Sequence, residues 1–162
     1  MDYHATFLDA VNRFIENYQA GRLDLRTAAD MQSYLFFYCV SILSEQDVGS
    51  PFALHCDAAP FDPRERVDML LGENEVAVMI MLEPDYPGLA VEQKPRVFSD
   101  DIERSFERMR DLCARGVPHG YVIILDEDGT HLRGFPNAAW QKLNTGQREV
   151  YLLTRHFQAG EG

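Results

Sequence analysis

The segment Glu75 to Leu82 (Glu-Val-Ala-Val-Met-Ile-Met-Leu) sets the tightest bound on what this chain can fold into. Every side chain from Val76 onward is apolar, so a strand through these residues has no face to offer to water. Such a strand belongs near the middle of a sheet covered on both sides. Just before it, Arg66 to Leu71 (RVDMLL) is also strand-like, and Gly72-Glu73-Asn74 between the two is a turn. The pair forms a hairpin with a short loop.

The flanking segments supply the cover. Phe7, Leu8, Val11, Phe14, Ile15 and Tyr18 fall on one helical stripe, with Gly21 placed to end the helix. A second helix starts from Thr27 as N-cap and runs to about Leu43. From Tyr34 onward it is apolar on nearly every side, so it is either central to the fold or covered by a partner. Phe52 to Cys56 reads as a short strand, followed by a loop with Pro60 and Pro63. Glu83 to Lys94 holds Pro84, Pro87 and Gly88 and reads as a loop.

Ser99 is an N-cap for a third helix, whose first turn carries Asp100, Asp101 and Glu103. Ile102, Phe106, Met109 and Cys113 mark its buried face, and Gly116 stops it. Gly120 to Leu125 is another apolar strand. Asp126 to Gly129 is expected as a hairpin turn and Thr130 to Gly134 as the start of a returning strand. Asn137 to Leu143 reads as a short helix, and Glu149 to His156 as a final strand or helix. The order predicts an α/β fold, a mixed central β-sheet flanked by helices. It forms a single domain over residues 1–157 with a flexible tail at 158–162.

Charge narrows the partners. The 162 residues carry 15 basic against 26 acidic side chains, a net charge of -11. That makes nucleic acid an unlikely partner, since such binding rests on Lys and Arg neutralising phosphates. It equally disfavours docking on anionic membranes. Tyr34 to Leu43 is about half the length of a membrane span. The start of the chain lacks the basic and apolar regions of a signal peptide, and Cys39, Cys56 and Cys113 form no C-x-x-C pair. Free thiols in a reducing cytoplasm are the reading these features favour.

The element order, with the Arg66–Leu71 strand leading into Glu75–Leu82, resembles the PD-(D/E)xK restriction-endonuclease-like nuclease superfamily. In that family one strand carries an Asp, and its neighbour carries an acidic residue, one spacer and a Lys. A helix near the N-terminus often adds a Glu. Carboxylates converging there hold Mg2+ against the scissile phosphate. Laid on this chain, the Asp matches Asp68, and the triplet falls on Met79-Ile80-Met81, with Met at both functional positions. In the stretch Arg26-Thr27-Ala28-Ala29-Asp30, Ala28 holds the position of the helix Glu. Met cannot ligate a hard cation. The resemblance therefore implies a restriction-endonuclease-like core with vestigial positions Asp68, Met79, Met81 and Ala28, no cofactor and no catalysis.

The alternative is a divalent-metal nuclease with a displaced site, in which Asp68, Glu83 and Asp85 hold Mg2+ or Mn2+. The nearest lysine in sequence is Lys94, across the loop. Asp68 also has a purely structural reading, as the partner of an arginine such as Arg66.

Other constellations carry less. His55-Cys56-Asp57 puts a His and a Cys on opposite faces of a strand, which leaves Cys56 as a small buried apolar residue. His119 and His131 flank the expected hairpin and could meet across it near Asp126 and Asp128 as a metal site; the other reading is a polar hairpin tip. Arg104, Arg108 and Arg115 lie among Glu103, Glu107 and Asp111, a pattern of intrahelical ion pairs. Met79 and Met81 suit packing against a protein partner. The aromatic helix from Tyr34 to Tyr38, with the first helix beside it, is the expected homodimer surface.

Overall fold

In the computed structural model the described residues are 1–46, 51–84, 99–146 and 148–160. Helices α1 (Tyr3–Gln19) and α2 (Ala28–Glu45) come first, followed by strands β1 (Leu54–Ala58), β2 (Val67–Leu71) and β3 (Val76–Glu83). Then follow α3 (Ser99–Ala114), β4 (His119–Asp126), the short α4 (Thr130–Gly134), β5 (Trp140–Asn144) and β6 (Glu149–Gln158). The six strands form one mixed sheet in the order β1-β2-β3-β4-β6-β5. β3 and β4 run parallel, from Val76 opposite His119 to Glu83 opposite Asp126, and every other pair is antiparallel.

The alternation of side chains along the strands sorts them between two helical layers. Met69, Leu71, Val78, Ile80, Tyr121 and Ile123 join Phe7, Phe14, Met31 and Leu35 of α1 and α2 in one core. Leu70, Ala77, Met79, Val122 and Ile124 meet Ile102, Met109, Leu112 and Cys113 of α3 in the other. β3 is thus buried on both faces, as its composition demands. The β2–β3 turn needs its glycine: Gly72 has φ 66°, and a Cβ there would lie 2.9 Å from Glu75 Cβ. Gly120 serves close approach instead, since a Cβ on it would lie 2.4 Å from Met109 Sδ.

α2 begins as its sequence indicates. Thr27 Oγ1 accepts from Asp30 N, and the Asp30 carboxylate accepts from Thr27 N at 2.9 Å, a reciprocal cap. Only one side of α2 is fully buried, through Met31, Leu35, Tyr38, Cys39, Ile42 and Leu43, whereas Phe37 is 61% exposed.

Two expected elements are overturned. Thr130–Gly134 is not a returning strand but the helix α4. The Asp126 carboxylate accepts Gly129 N and Leu132 N, which winds the chain into a helical turn instead of sending it back along β4. Asn137–Leu143 is not a helix. Its second half enters β5, because the open edge of β6 offers a full backbone ladder and Leu143 gains a completely buried position. β6 extends to Gln158, paired with His119, one residue into the expected tail. The loop expected at Glu83–Lys94 lies outside the described residues from 85 onward. No helix among the described residues is long and apolar enough to cross a membrane.

Candidate functional site

The β2–β3 hairpin positions the residues on which the nuclease resemblance rests. The ladder pairs Leu71 with Val76, Leu70 with Ala77 and Met69 with Val78. One step further, Asp68 comes opposite Met79, and there its side chain replaces the ladder. Asp68 Oδ2 accepts the main-chain N–H of Ile80 at 2.6 Å. Gln32 Nε2, from α2, donates to the Asp68 carbonyl oxygen at 2.8 Å. Burial pushes the Asp68 carboxyl above the usual carboxylate range; the Ile80 N–H and the more distant Arg108 charge pull the other way, and Asp57 adds to the rise.

Arg66 is not the partner of Asp68. It bonds instead to Asp57, through Nε to Oδ1 at 2.9 Å and through Nη2 to the Asp57 carbonyl oxygen. Asp57 stands on β1, exposed at the sheet edge, where an arginine can reach it without being desolvated. Arg108 donates to the Arg66 carbonyl oxygen at 2.9 Å, so it leaves the intrahelical pattern. Arg115 pairs with Asp111 at 2.8 Å and Arg104 with Asp101 at 3.6 Å, as the spacing indicates, and Arg115 also pairs outside the helix with Glu65 at 2.7 Å.

Met79 is 5% exposed and Met81 is partly buried, both in the core on the α3 side. Ser105 of α3 lies 4.0 Å from Met81 Sδ. Ala28 is not with them. It is the first residue of α2 and packs against the core on the opposite face of the sheet. The α2 residue that does reach Asp68 is Gln32, one helical turn further on, which the sequence comparison passes over.

Glu83 lies at the far end of β3. Its position is four residues beyond Met79, about 13 Å along the strand, so the structure does not bring it to Asp68. Asp85 lies outside the described residues. Glu83 is 1% exposed, sits beside Asp126 in the parallel register and has its Oε2 3.9 Å from His131 Nε2. Asp126 is fully buried, with Oδ1 accepting Gly129 N and Oδ2 accepting Leu132 N, each at 2.9 Å. Burial raises the Asp126 carboxyl and lowers the His131 imidazole.

On the other side of β4, Glu127 accepts Tyr18 Oη at 2.5 Å and Arg148 Nη2 at 2.8 Å. These residues line an open pocket of about 240 Å³ with Leu23, Asp24 and Leu25. Burial, then the bond to Glu127, drives the Tyr18 hydroxyl far above the ordinary phenol range. Nothing in the local sequence links Tyr18 to Glu127, because the contact spans 109 residues.

The remaining expectations are corrected by position. His119 and His131 do not meet: they lie near opposite ends of β4, and His119 instead sits with His4 and His156. Cys56 is exposed, unlike Cys39 and Cys113, because the edge strand β1 turns His55, Cys56 and Asp57 to solvent. Burial pushes the Cys39 thiol up to about 12, which makes it inert. Comparison with protein-family models, with curated proteins and with solved structures finds no match for this chain.

Proposed function

We propose that this chain is a restriction-endonuclease-like domain that has lost nuclease chemistry and serves a structural or protein-binding role. The observation that carries the reading is the use of Asp68. The one acid left at the family's positions directs its Oδ2 to a main-chain amide, and the facing positions hold Met79 and Met81. A metal-dependent nuclease needs two or more oxygen ligands converging on one point. Asp57, the carboxylate whose charge Asp68 feels, is bonded to Arg66, and among the described residues no group of three or more possible ligands close enough to share an ion includes Asp68.

The net charge of -11 supports a protein partner over nucleic acid. A second copy is the partner we favour. The mostly apolar helix α2 turns Phe37 outward at 61% exposure, and Leu8 of α1 is 40% exposed. The three free thiols are in keeping with a cytoplasmic setting.

Cleavage assays on DNA and RNA with Mg2+ and with Mn2+, run beside Asp68→Ala, test this. Neither protein should cleave above background. Metal-dependent cleavage by the parent that disappears in Asp68→Ala would overturn the proposal in favour of the displaced-site nuclease.

A further inference from the structure

Away from Asp68, three elements bring histidines together on the α1 side of the sheet. His4 comes from the first turn of α1, His119 from the start of β4, and His156 from β6, where it pairs with Tyr121. One ligating atom from each lies within 4.8 Å of the other two, and all three residues are half-buried. His119 Nδ1 and His156 Nε2 are 3.1 Å apart. The His119 and His156 rings are centred 5.3 Å apart, and those of His4 and His156 5.4 Å.

We propose that His4, His119 and His156 form a binding site for a divalent transition-metal ion of the zinc class. Tetrahedral zinc with nitrogen ligands at about 2.0–2.1 Å holds those nitrogens about 3.4 Å apart and the ring centres about 5.2 Å apart. The His119–His156 pair stands close to both separations, and the His4–His156 pair close to the ring-centre separation. The His4–His119 pair does not: these rings stack at 3.6 Å and 9°, so loading requires His4 to turn out of the stack. His4 is half-buried in the first turn of its helix, where a change of side-chain rotamer disturbs no strand pairing. In the stacked arrangement His4 Nε2 is bonded to Tyr121 Oη at 2.6 Å, so keeping that bond would leave Nδ1 as the ligating nitrogen.

The donor set selects the class of ion. Three imidazoles suit zinc, copper, nickel and cobalt, whereas Mg2+ and Ca2+ demand oxygen. Three protein ligands leave the fourth position open to water or a further donor. Glu75 and Asp2 add negative charge beside the cluster, and Glu75 Oε1 already accepts the His4 main-chain N–H at 3.2 Å. A bound ion would clamp the start of α1 onto β4 and β6, adding to the His4–Tyr121 and Phe7–Tyr121 contacts there.

The test uses the untagged chain, stripped with a chelator and titrated with Co2+ and Zn2+. One equivalent of Co2+ should give the visible bands of a four-coordinate centre, displaced by one equivalent of Zn2+. His4→Gln, His119→Gln and His156→Gln should each weaken binding more than about a hundredfold, beyond the loss typical of an outer partner. Unfolding midpoints in chelator show whether each variant is folded. His4→Gln decides the matter if either strand variant is not, because its ring leaves the backbone ladder untouched. Absence of a saturable Co2+ or Zn2+ site in the parent, or equal binding by the parent and folded His4→Gln, would overturn the proposal.

Discussion

Asp68 on β2 and Asp126 at the end of β4 both turn a carboxylate back onto the main chain, but to different depths. Asp126 is fully buried and uses both oxygens, accepting Gly129 N and Leu132 N. Asp68 is half-buried and uses Oδ2 for Ile80 N, where β2 and β3 cease to pair. In both places the carboxylate replaces a ladder or turn bond that the backbone alone does not make. The difference teaches how to read a lone Asp between apolar neighbours. Its residue type suits a metal ligand and a backbone bracket equally well, and only the partner distinguishes them.

Substitutions sharpen this contrast. Asp126→Ala leaves two part-buried amides unaccepted and should lower the unfolding free energy by about 2–3 kcal/mol, measured by urea denaturation. Asp68→Ala strands one amide and should lose about 1–2 kcal/mol, while Asp68→Asn, which keeps an acceptor oxygen, should lose less than about 1 kcal/mol. Equal losses for Asp68→Ala and Asp126→Ala would break the comparison. So would a stabilising Asp68→Ala, the result expected if an unsatisfied charge dominates there.

A smaller effect separates the two sites by pH. His131 packs in the Asp126 cluster, and burial lowers its imidazole below the ordinary 6.5. Its contribution is present above pH 6.5 and is lost as pH falls through the folded value, because the unfolded chain takes up the proton first. Asp126 and Asp68 work in the opposite sense: burial raises them, so their share is present below pH 3.8 and lost as pH rises through the folded values. The stability gap between the parent and His131→Gln should therefore shrink between pH 7.5 and 5.5, and a constant gap would contradict the assignment. Smallest of all, Phe37→Ser should change monomer stability by no more than about 0.5 kcal/mol. If α2 is the dimer face, sedimentation will show that same substitution shifting the protein toward monomer.

Much of the fold was legible because it rests on local pattern. The Phe7–Tyr18 stripe, the Thr27 cap and the apolar run of β3 each specify an element whatever lies around them. The segment from Thr130 to Leu143 was not, because its form is decided at a distance. α4 depends on Asp126, and β5 depends on the free edge of β6. The same limit applies to sites. The pairing of Arg66 with Asp57 and the meeting of His4 with His119 across 115 positions follow from strand order, which residue spacing does not encode. Asp68 was visible as a residue of interest, but its bond to Ile80 N appears only once β2 and β3 are seen to part.

As proposed, Asp68 brackets the backbone and is not a metal ligand. Mn2+ binding to the parent and to Asp68→Ala, compared by calorimetry on the untagged chain, tests it most directly. The expected isotherms are superimposable, since any Mn2+ held elsewhere is common to both proteins. A saturable Mn2+ site present in the parent and absent from folded Asp68→Ala would contradict it.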